Sequence, residues 1–145
     1  MRKTIRTPDY PIADTPDGKL HGFKLDEVYH FHGIRYAKAQ RFEMPDPVKP
    51  WEGVKDAKAY GYICPLLTEK PHEEGDESGA PENSFEMPHV YWPMSENCQY
   101  LNVWTKHLNE DAKKPVLVWL HGGGFCAGSS IELPSYDGHN MADYG

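Results

Sequence analysis

The sequence is poor in basic residues and contains no long apolar run. Its 145 residues carry 15 lysines and arginines against 22 aspartates and glutamates, giving a formal net charge of -7. Binding of phosphate groups needs clustered Lys and Arg, so nucleic acid is not an expected partner. A membrane-spanning helix needs about 18 consecutive apolar residues, which the chain lacks. Because residues 4–14 also hold no apolar run of signal-peptide length, we expect a cytoplasmic protein without a membrane span.

Cysteine is scarce, and the histidines are scattered. The three cysteines, Cys64, Cys98 and Cys126, form no CxxC pair, so neither a zinc site nor a dense disulfide framework is indicated. His30 and His32 would share one face of a strand, and we interpret that face as solvated rather than as a metal site. We therefore expect no metal.

The composition is that of one ordinary domain with a thin core. Although 39% of the residues are hydrophobic, 13 prolines and 13 glycines indicate many turns and short elements. Pro45, Pro47 and Pro50 cannot occupy a helix interior or a central strand, so this segment is predicted as surface coil. We expect Trp51 to anchor that coil to the core.

A strongly acidic stretch lies in the middle of the chain. Residues 69–86 hold seven acidic residues and one lysine, mixed with proline, glycine, serine and asparagine. Such a composition cannot bury itself. We predict an acidic loop insertion over residues 65–97, and we interpret it as a mobile, solvated loop in preference to a substrate lid.

Three segments have the pattern of β-strands. Alternating residues from Gly18 to Phe31, interrupted at 25–27, predict an antiparallel hairpin. The segment from Gln99 to Thr105 is rich in β-formers. The uninterrupted apolar run from Val116 to Leu120 predicts a strand covered on both faces, which could pair with the preceding one.

The last residues predict a turn and a short helix. Residues 134–138 have turn composition, and His139 to Tyr144 is predicted as a helix that Gly145 ends. A parallel sheet needs strand, helix and strand in succession. With one convincing buried strand and one short helix, the chain is predicted to form part of an α/β sheet.

The predicted buried strand runs directly into His121-Gly122-Gly123-Gly124-Phe125. Three residues without Cβ allow backbone angles that are closed to other residues and can turn successive N–H groups toward one point. In ester hydrolysis, such preorganised amides stabilise the negative carbonyl oxygen of the tetrahedral intermediate, each by on the order of 3 kcal/mol. Lipases and esterases use an HGGG loop in this way.

Two other interpretations of the loop are weaker. Gly122, Gly124 and Ala127 match the dinucleotide fingerprint G-x-G-x-x-A, but that fingerprint must open a helix, whereas Gly128-Ser129-Ser130 and Pro134 follow here. The loop could also be a glycine-rich turn that only connects strands.

Several spaced motifs occur in a fixed order along the chain: Phe31-His32-Gly33-Ile34-Arg35-Tyr36-Ala37, Arg41-Phe42, Pro45, Trp51-Glu52-Gly53-Val54, Asp56-Ala57, residues 95–104 (SENCQYLNVW), the HGGGF loop and Gly128-Ser129-Ser130. With these motifs, the chain resembles the type-B carboxylesterase and cholinesterase family from about Gly18 to Gly145. The resemblance implies that residues 1–145 are the N-terminal portion of a single α/β-hydrolase domain. That portion would hold an amino-terminal β-hairpin, the first strands of the central sheet and long loops, and its sheet would be incomplete.

The resemblance also implies a function. Gly123 and Gly124 would supply two arms of the oxyanion hole of a carboxylic ester hydrolase, with Gly122 and Phe125 beside the substrate, a small-molecule ester. His121 precedes the glycines and is not the catalytic base. The family's nucleophilic serine lies in a G-x-S-x-G elbow, which these 145 residues do not contain. The remainder of the hydrolase domain is therefore the expected partner, and the chain alone is expected to be inactive. Ester hydrolysis of this kind needs no cofactor.

Two pairings are implied as well. One is a disulfide between Cys64 and Cys98. Without an export signal, the two cysteines would stay reduced thiols. The other is an ion pair between Arg41 and Glu96.

The sequence departs from the family at several positions. Arg35 stands in place of the usual proline, the stretch from 37 to 41 is short, and Asn97 replaces an aspartate. Trp92 lies closer to Cys98 than the choline-binding tryptophan of cholinesterases, so choline esters are not implied.

Two rival hypotheses remain. The same family includes non-catalytic cholinesterase-like adhesion proteins, which keep the fold and bind partners. The chain could also be a truncated gene product without a function of its own. A serine elbow downstream would favour the enzyme.

Overall fold

The computed structural model describes residues 11–65, 92–126 and 128–144, so the acidic stretch 69–86 lies outside the described residues. The described part holds eight short strands and one α-helix. Two single turns of 3-10 helix lie at Glu110–Ala112 and Pro134–Tyr136. The elements are β1 (Ile12–Thr15), β2 (Gly18–His21), β3 (Phe23–Leu25), β4 (Val28–Arg35), β5 (Ala37–Lys38), β6 (Asp46–Pro47), β7 (Val54–Asp56), β8 (Tyr100–Thr105) and α1 (His139–Tyr144).

The strands form three small sheets. β2 lies between β1, which is antiparallel to it, and β7, which is parallel. β4 lies between β3 and β8 and is antiparallel to both. β5 and β6 form a two-stranded pair. The predicted hairpin from Gly18 to Phe31 is confirmed in part: β3 and β4 form it, with Leu25 facing Val28 across a two-residue turn, whereas Gly18–His21 is β2 of the other sheet.

The predicted strand from Gln99 to Thr105 is confirmed as β8, and its partner is β4. The register shifts between Phe31 and Ile34, where Gly33 has a φ of +63°. The Gly33 N–H donates to the Asn102 side-chain oxygen on β8 at 2.9 Å. A Cβ on this glycine would lie 2.4 Å from the carbonyl oxygen of Ala59, so the bulge requires glycine.

The core is small, as the composition predicts. Leu20, Phe31 and Ala57 form its buried cluster. Trp51 packs against this cluster, and its indole N–H donates to the carbonyl oxygen of Lys19 at 3.2 Å. The predicted anchoring role of Trp51 is therefore confirmed.

The proline-rich segment is mostly exposed coil, as predicted, with one exception. Asp46 and Pro47 pair with Lys38 and Ala37 as a two-residue strand. Proline fits this position because, within the described residues, each strand of the pair is an edge strand. An edge strand can lack one backbone N–H without losing a hydrogen bond to a second neighbour.

The interpretation of the His30 and His32 face as solvated is wrong. The two side chains share one face of β4, but they are only 2% and 6% exposed. His30 stacks on Phe23 with ring centroids 4.7 Å apart, and His32 stacks on Tyr60 at 4.4 Å. The cover comes from residues distant in sequence, which a local alternation pattern does not reveal. In the described ranges, no group of three His, Cys, Asp or Glu side chains is placed to hold a metal ion.

The prediction of a covered strand from Val116 to Leu120 is also wrong for this structure. The five side chains are 58% to 84% exposed, and the segment is not part of a sheet. The expected neighbour β8 pairs with β4 instead. A central strand needs pairing partners and cover on both faces, and the described residues supply neither to this segment.

Candidate functional site

The HGGGF loop adopts a backbone that favours glycine. Gly123, Gly124 and Phe125 have φ angles of +114°, +58° and +61°. The Cys126 N–H donates to the carbonyl oxygen of Gly123 at 3.0 Å and closes a tight turn around Gly124 and Phe125. Positive φ at both central residues is the signature of a type I′ turn. Phe125, which adopts it at a steric cost, has a fully exposed side chain.

The carbonyl oxygens of the loop fix the directions of its amides. The carbonyl oxygen of Gly122 lies 2.8 Å from Nδ1 of His121. A Cβ placed on Gly128 would lie 2.7 Å from the same oxygen, so Gly128 packs directly against it. Because a trans peptide directs its N–H away from its C=O, the Gly123 N–H points away from His121 and Gly128. In the same way, the Gly124 N–H points away from the Gly123 carbonyl oxygen and from the Cys126 N–H that this oxygen accepts.

These two amides are available to a ligand. Within the described ranges, no hydrogen bond uses the N–H of Gly123 or of Gly124. The loop residues are exposed, and a Cβ added to Gly122 or Gly124 would meet nothing within 4 Å. The loop thus presents two successive unpaired donors on an open face, which suits an oxygen atom that carries negative charge.

A second turn, from Ser129 to Glu132, follows Gly128, which packs against the loop. The buried Ser129 donates its N–H to the Glu132 carboxylate at 3.0 Å, and its hydroxyl accepts the Ile131 N–H at 3.4 Å. The Glu132 N–H donates back to the Ser129 carbonyl oxygen at 3.4 Å. Sequence reasoning missed Glu132, although Ser129-Ser130-Ile131-Glu132 has the S-x-x-E spacing of a capping box, in which the glutamate returns to the serine amide.

The residues of the implied ion pair are in contact. Arg41 Nη1 lies 2.6 Å from Glu96 Oε1, with both side chains exposed. The two departures from the family pattern also meet, because the Arg35 guanidinium donates to the Asn97 side-chain oxygen and to the Tyr100 hydroxyl. The Arg35 guanidinium also lies over the Tyr100 ring, 4.4 Å from its centroid.

Cys64 and Cys98 are free thiols in this structure, so the implied disulfide stays a prediction. The two thiols are close neighbours. Burial raises the pKa of the Cys98 thiol, and charge interaction and hydrogen bonding with Cys64 raise it further. Cys126 is exposed on the glycine loop.

A histidine cluster connects β4 to α1. His30 Nε2 lies 3.0 Å from His139 Nδ1. Burial, reinforced by neighbouring histidines, lowers the pKa of His30 to about 4, although the Asp137 carboxylate opposes this shift. Burial likewise lowers the pKa of His32 to about 4. His30 and His32 are therefore neutral at pH 7, and the contact between His30 and His139 holds the segment that follows the glycine loop against the sheet.

An open cavity of about 390 Å³ lies apart from the glycine loop. It is lined by Gly33, Ala59, Tyr60, Gly61, Tyr62, Trp92, Pro93 and Tyr100. The Trp92 indole N–H donates to the Tyr60 carbonyl oxygen at 3.3 Å, so this tryptophan is a wall of the cavity.

The model of the carboxylesterase family matches residues 9–145. The chain belongs to the carboxylesterase family. It is 36% identical over 141 residues to the para-nitrobenzyl esterase of Bacillus subtilis, covering 94% of this chain and 26% of that protein. It is 40% identical over 130 residues to the phenmedipham hydrolase of Pseudarthrobacter oxydans, covering 87% of this chain and 24% of that protein.

The solved structures agree with this family. An esterase from the anaerobe Clostridium hathewayi, described as able to hydrolyse aliphatic aromatic polyesters, superposes with a TM-score of 0.83 at 44% identity. The match covers 98% of this chain and 27% of that one. This carboxylesterase-family chain therefore spans about a quarter of the length of these relatives. Its fold is the N-terminal portion of the α/β-hydrolase fold with an incomplete sheet. No helix of the described residues is long and apolar enough to cross a membrane.

Proposed function

We propose that this chain supplies the oxyanion hole of a serine-type carboxylic ester hydrolase. The observation that carries the proposal is the pair of successive amides of Gly123 and Gly124 on the exposed loop, whose N–H groups make no hydrogen bond with any described residue. The esterase names of the relatives support the reaction class. From the family, the substrate in this proposal is a small-molecule ester.

The chemistry assigned to the loop is electrostatic. When a nucleophile adds to an ester carbonyl, the oxygen becomes an oxyanion, and N–H donors already aimed at that position stabilise it without reorganising. Gly123 and Gly124 are two such donors, and Phe125 stands beside them as part of the substrate wall. The turn bond from Cys126 to the Gly123 carbonyl oxygen fixes the loop before the substrate arrives.

The nucleophile, acid and base lie outside these 145 residues in this proposal. Donors without a nucleophile and a base cannot form an acyl-enzyme, so the purified chain should neither hydrolyse p-nitrophenyl acetate nor be labelled by a fluorophosphonate. Serine-type turnover or covalent labelling of the 145-residue chain would contradict this assignment.

The decisive experiment uses the longest polypeptide that the gene encodes. We expect a G-x-S-x-G elbow downstream of Gly145 and hydrolysis of p-nitrophenyl acetate that a fluorophosphonate abolishes. If the elbow is present without its serine, the non-catalytic adhesion hypothesis replaces the enzyme hypothesis.

Gly124→Ala tests the loop itself in that polypeptide. An Ala at a φ of +58° is strained and should turn the amides away from the oxyanion, lowering kcat by about 10²-fold. Gly53→Ala is the matched control, because Gly53 also has a positive φ (+77°) and open space around an added Cβ, but lies outside the loop. Equal kcat values for the two variants would argue against the oxyanion role.

A further inference from the structure

The Ser129 to Glu132 turn and the glycine loop are in direct contact at Gly128. A Cβ on Gly128 would lie 2.7 Å from the Gly122 carbonyl oxygen, 3.0 Å from Glu132 Oε2 and 3.2 Å from His121 Nδ1. These three groups therefore surround the same point, and the space between them holds only the hydrogen of a glycine. Gly128 is buried and has a φ of +90°, which glycine adopts without strain.

We propose that Glu132 is a positioning residue for the amide of Gly123. Its carboxylate holds the Ser129 N–H, which fixes Gly128 against the Gly122 carbonyl oxygen. Since the Gly122 carbonyl and the Gly123 N–H belong to one planar peptide, the position of this oxygen sets the direction of that donor. The catalytic consequence rests on the proposed oxyanion role, but the geometric coupling does not.

The bond from Ser129 to Glu132 is suited to this task. A carboxylate that accepts a backbone N–H forms a charge-assisted bond, which is stronger than a bond between neutral groups. Its donor is buried, so loss of the acceptor would leave an unsatisfied amide. A glutamine can still accept the bond through its side-chain oxygen, whereas an alanine cannot.

The test is an NMR comparison of the 145-residue chain with Glu132→Ala, Glu132→Gln and a control, Glu52→Ala. Glu52 is an exposed glutamate outside the loop. In the wild type we expect the Ser129 amide to exchange slowly with solvent and the Gly123 amide to exchange fast. Glu132→Ala should speed Ser129 exchange by about tenfold or more, as expected for the loss of one charge-assisted bond. It should also shift the Gly123 amide resonance, and Glu132→Gln should restore most of both signals.

Gly128→Ala gives a second test, because its Cβ would push the Gly122 carbonyl oxygen in a chain that keeps the Glu132 carboxylate. We expect it to shift the Gly123 amide and to leave the amides of β4 and β8 unchanged. The proposal is overturned if the Gly123 resonance is the same in wild type, Glu132→Ala and Gly128→Ala, or if Glu132→Gln behaves like Glu132→Ala.

If Glu132→Ala does not fold, the wild type and Glu132→Gln still decide. Fast exchange of the Ser129 amide in the wild type overturns the proposal. Slow exchange in the wild type, with the Gly123 resonance unchanged in Glu132→Gln, supports it. Esterase turnover of the complete polypeptide is a separate readout. The proposed function can therefore fail while the coupling of Glu132 to Gly123 stands, or the reverse.

Discussion

His30 Nε2 and His139 Nδ1 lie 3.0 Å apart and join β4 to α1 across 109 positions of sequence. One ring nitrogen must donate and the other accept, so the contact requires at least one neutral imidazole. His30 and His32 are buried, and their rings are 5.4 Å apart, so protonation of either is opposed. The facing charged groups are Asp137, which favours protonation of both, and Asp26, which lies 4.0 Å from the His139 ring.

This cluster predicts a fall in stability at acidic pH. The pKa values of His30 and His32 are lowered from 6.5 to about 4 in the folded chain. Between these pH values the unfolded chain binds more protons than the folded chain. The stability that the neutral His30 and His32 contribute is therefore fully present above pH 6.5 and is lost as the pH falls toward 4. Each shift corresponds to about 3 kcal/mol. Urea unfolding at a series of pH values from 7 to 4 measures the loss.

His32→Phe is the variant that isolates this effect. A Phe ring can keep the stacking against Tyr60 and removes Nε2, which is buried without a partner among the described residues. We expect a shallower pH dependence than in the wild type and unchanged or higher stability at pH 5. An unchanged pH slope would show that His32 does not cause the acid sensitivity.

Gly33→Ala should destabilise the β4–β8 pairing by about 2 to 4 kcal/mol, because it combines a strained backbone with a clash. The φ of Gly33 is +63°, and its Cβ would lie 2.4 Å from the Ala59 carbonyl oxygen. Gly53→Ala shares the positive φ but meets nothing within 4 Å, so it should cost only about 1 kcal/mol. Chemical denaturation of both variants measures the difference, and equal losses would argue against a structural need for the bulge.

Mild oxidation should join Cys64 to Cys98, since their thiols are neighbours. Closing the loop between them would stabilise the chain by roughly 3 to 4 kcal/mol in the chain-entropy model. Peptide mapping under non-reducing conditions identifies the bond, and thermal unfolding measures its effect. Cys126→Ser is the control and should oxidise in the same way. A bond from Cys126 to either partner would contradict the assignment.

The ion pair of Arg41 and Glu96 should contribute little to stability. Both side chains are exposed, and solvated pairs of this kind contribute about 1 kcal/mol or less. We expect Arg41→Gln and Glu96→Gln each to have small effects, with a coupling energy in the double-mutant cycle that decreases with added salt. A coupling well above 1 kcal/mol at high salt would show that the pair is more than a surface contact.

Local patterns predicted the features that depend on neighbours in sequence. The hairpin of β3 and β4, the strand β8 and the helix α1 all follow from alternation, β-forming residues or a helix end, although residues 18–21 of the predicted hairpin form β2 of another sheet. The anchoring of Trp51 also followed from sequence, because a large aromatic side chain next to an exposed proline-rich coil is more stable packed against the core than in solvent. The family resemblance, carried by spaced motifs, gave the fold class.

Other features were decided by the tertiary structure, because they depend on residues far apart in sequence. His30 and His32 alternate like a solvated face, yet β8, Tyr60 and α1 cover them. The run from Val116 to Leu120 has the composition of a buried strand, but burial requires neighbouring strands, which the described residues do not provide. The sequence by itself determined which residues form the glycine loop. The contacts of the Gly122 carbonyl oxygen with Gly128 and His121 decided where the Gly123 amide of this loop points. The carbonyl and the N–H belong to one planar peptide, so fixing one fixes the other.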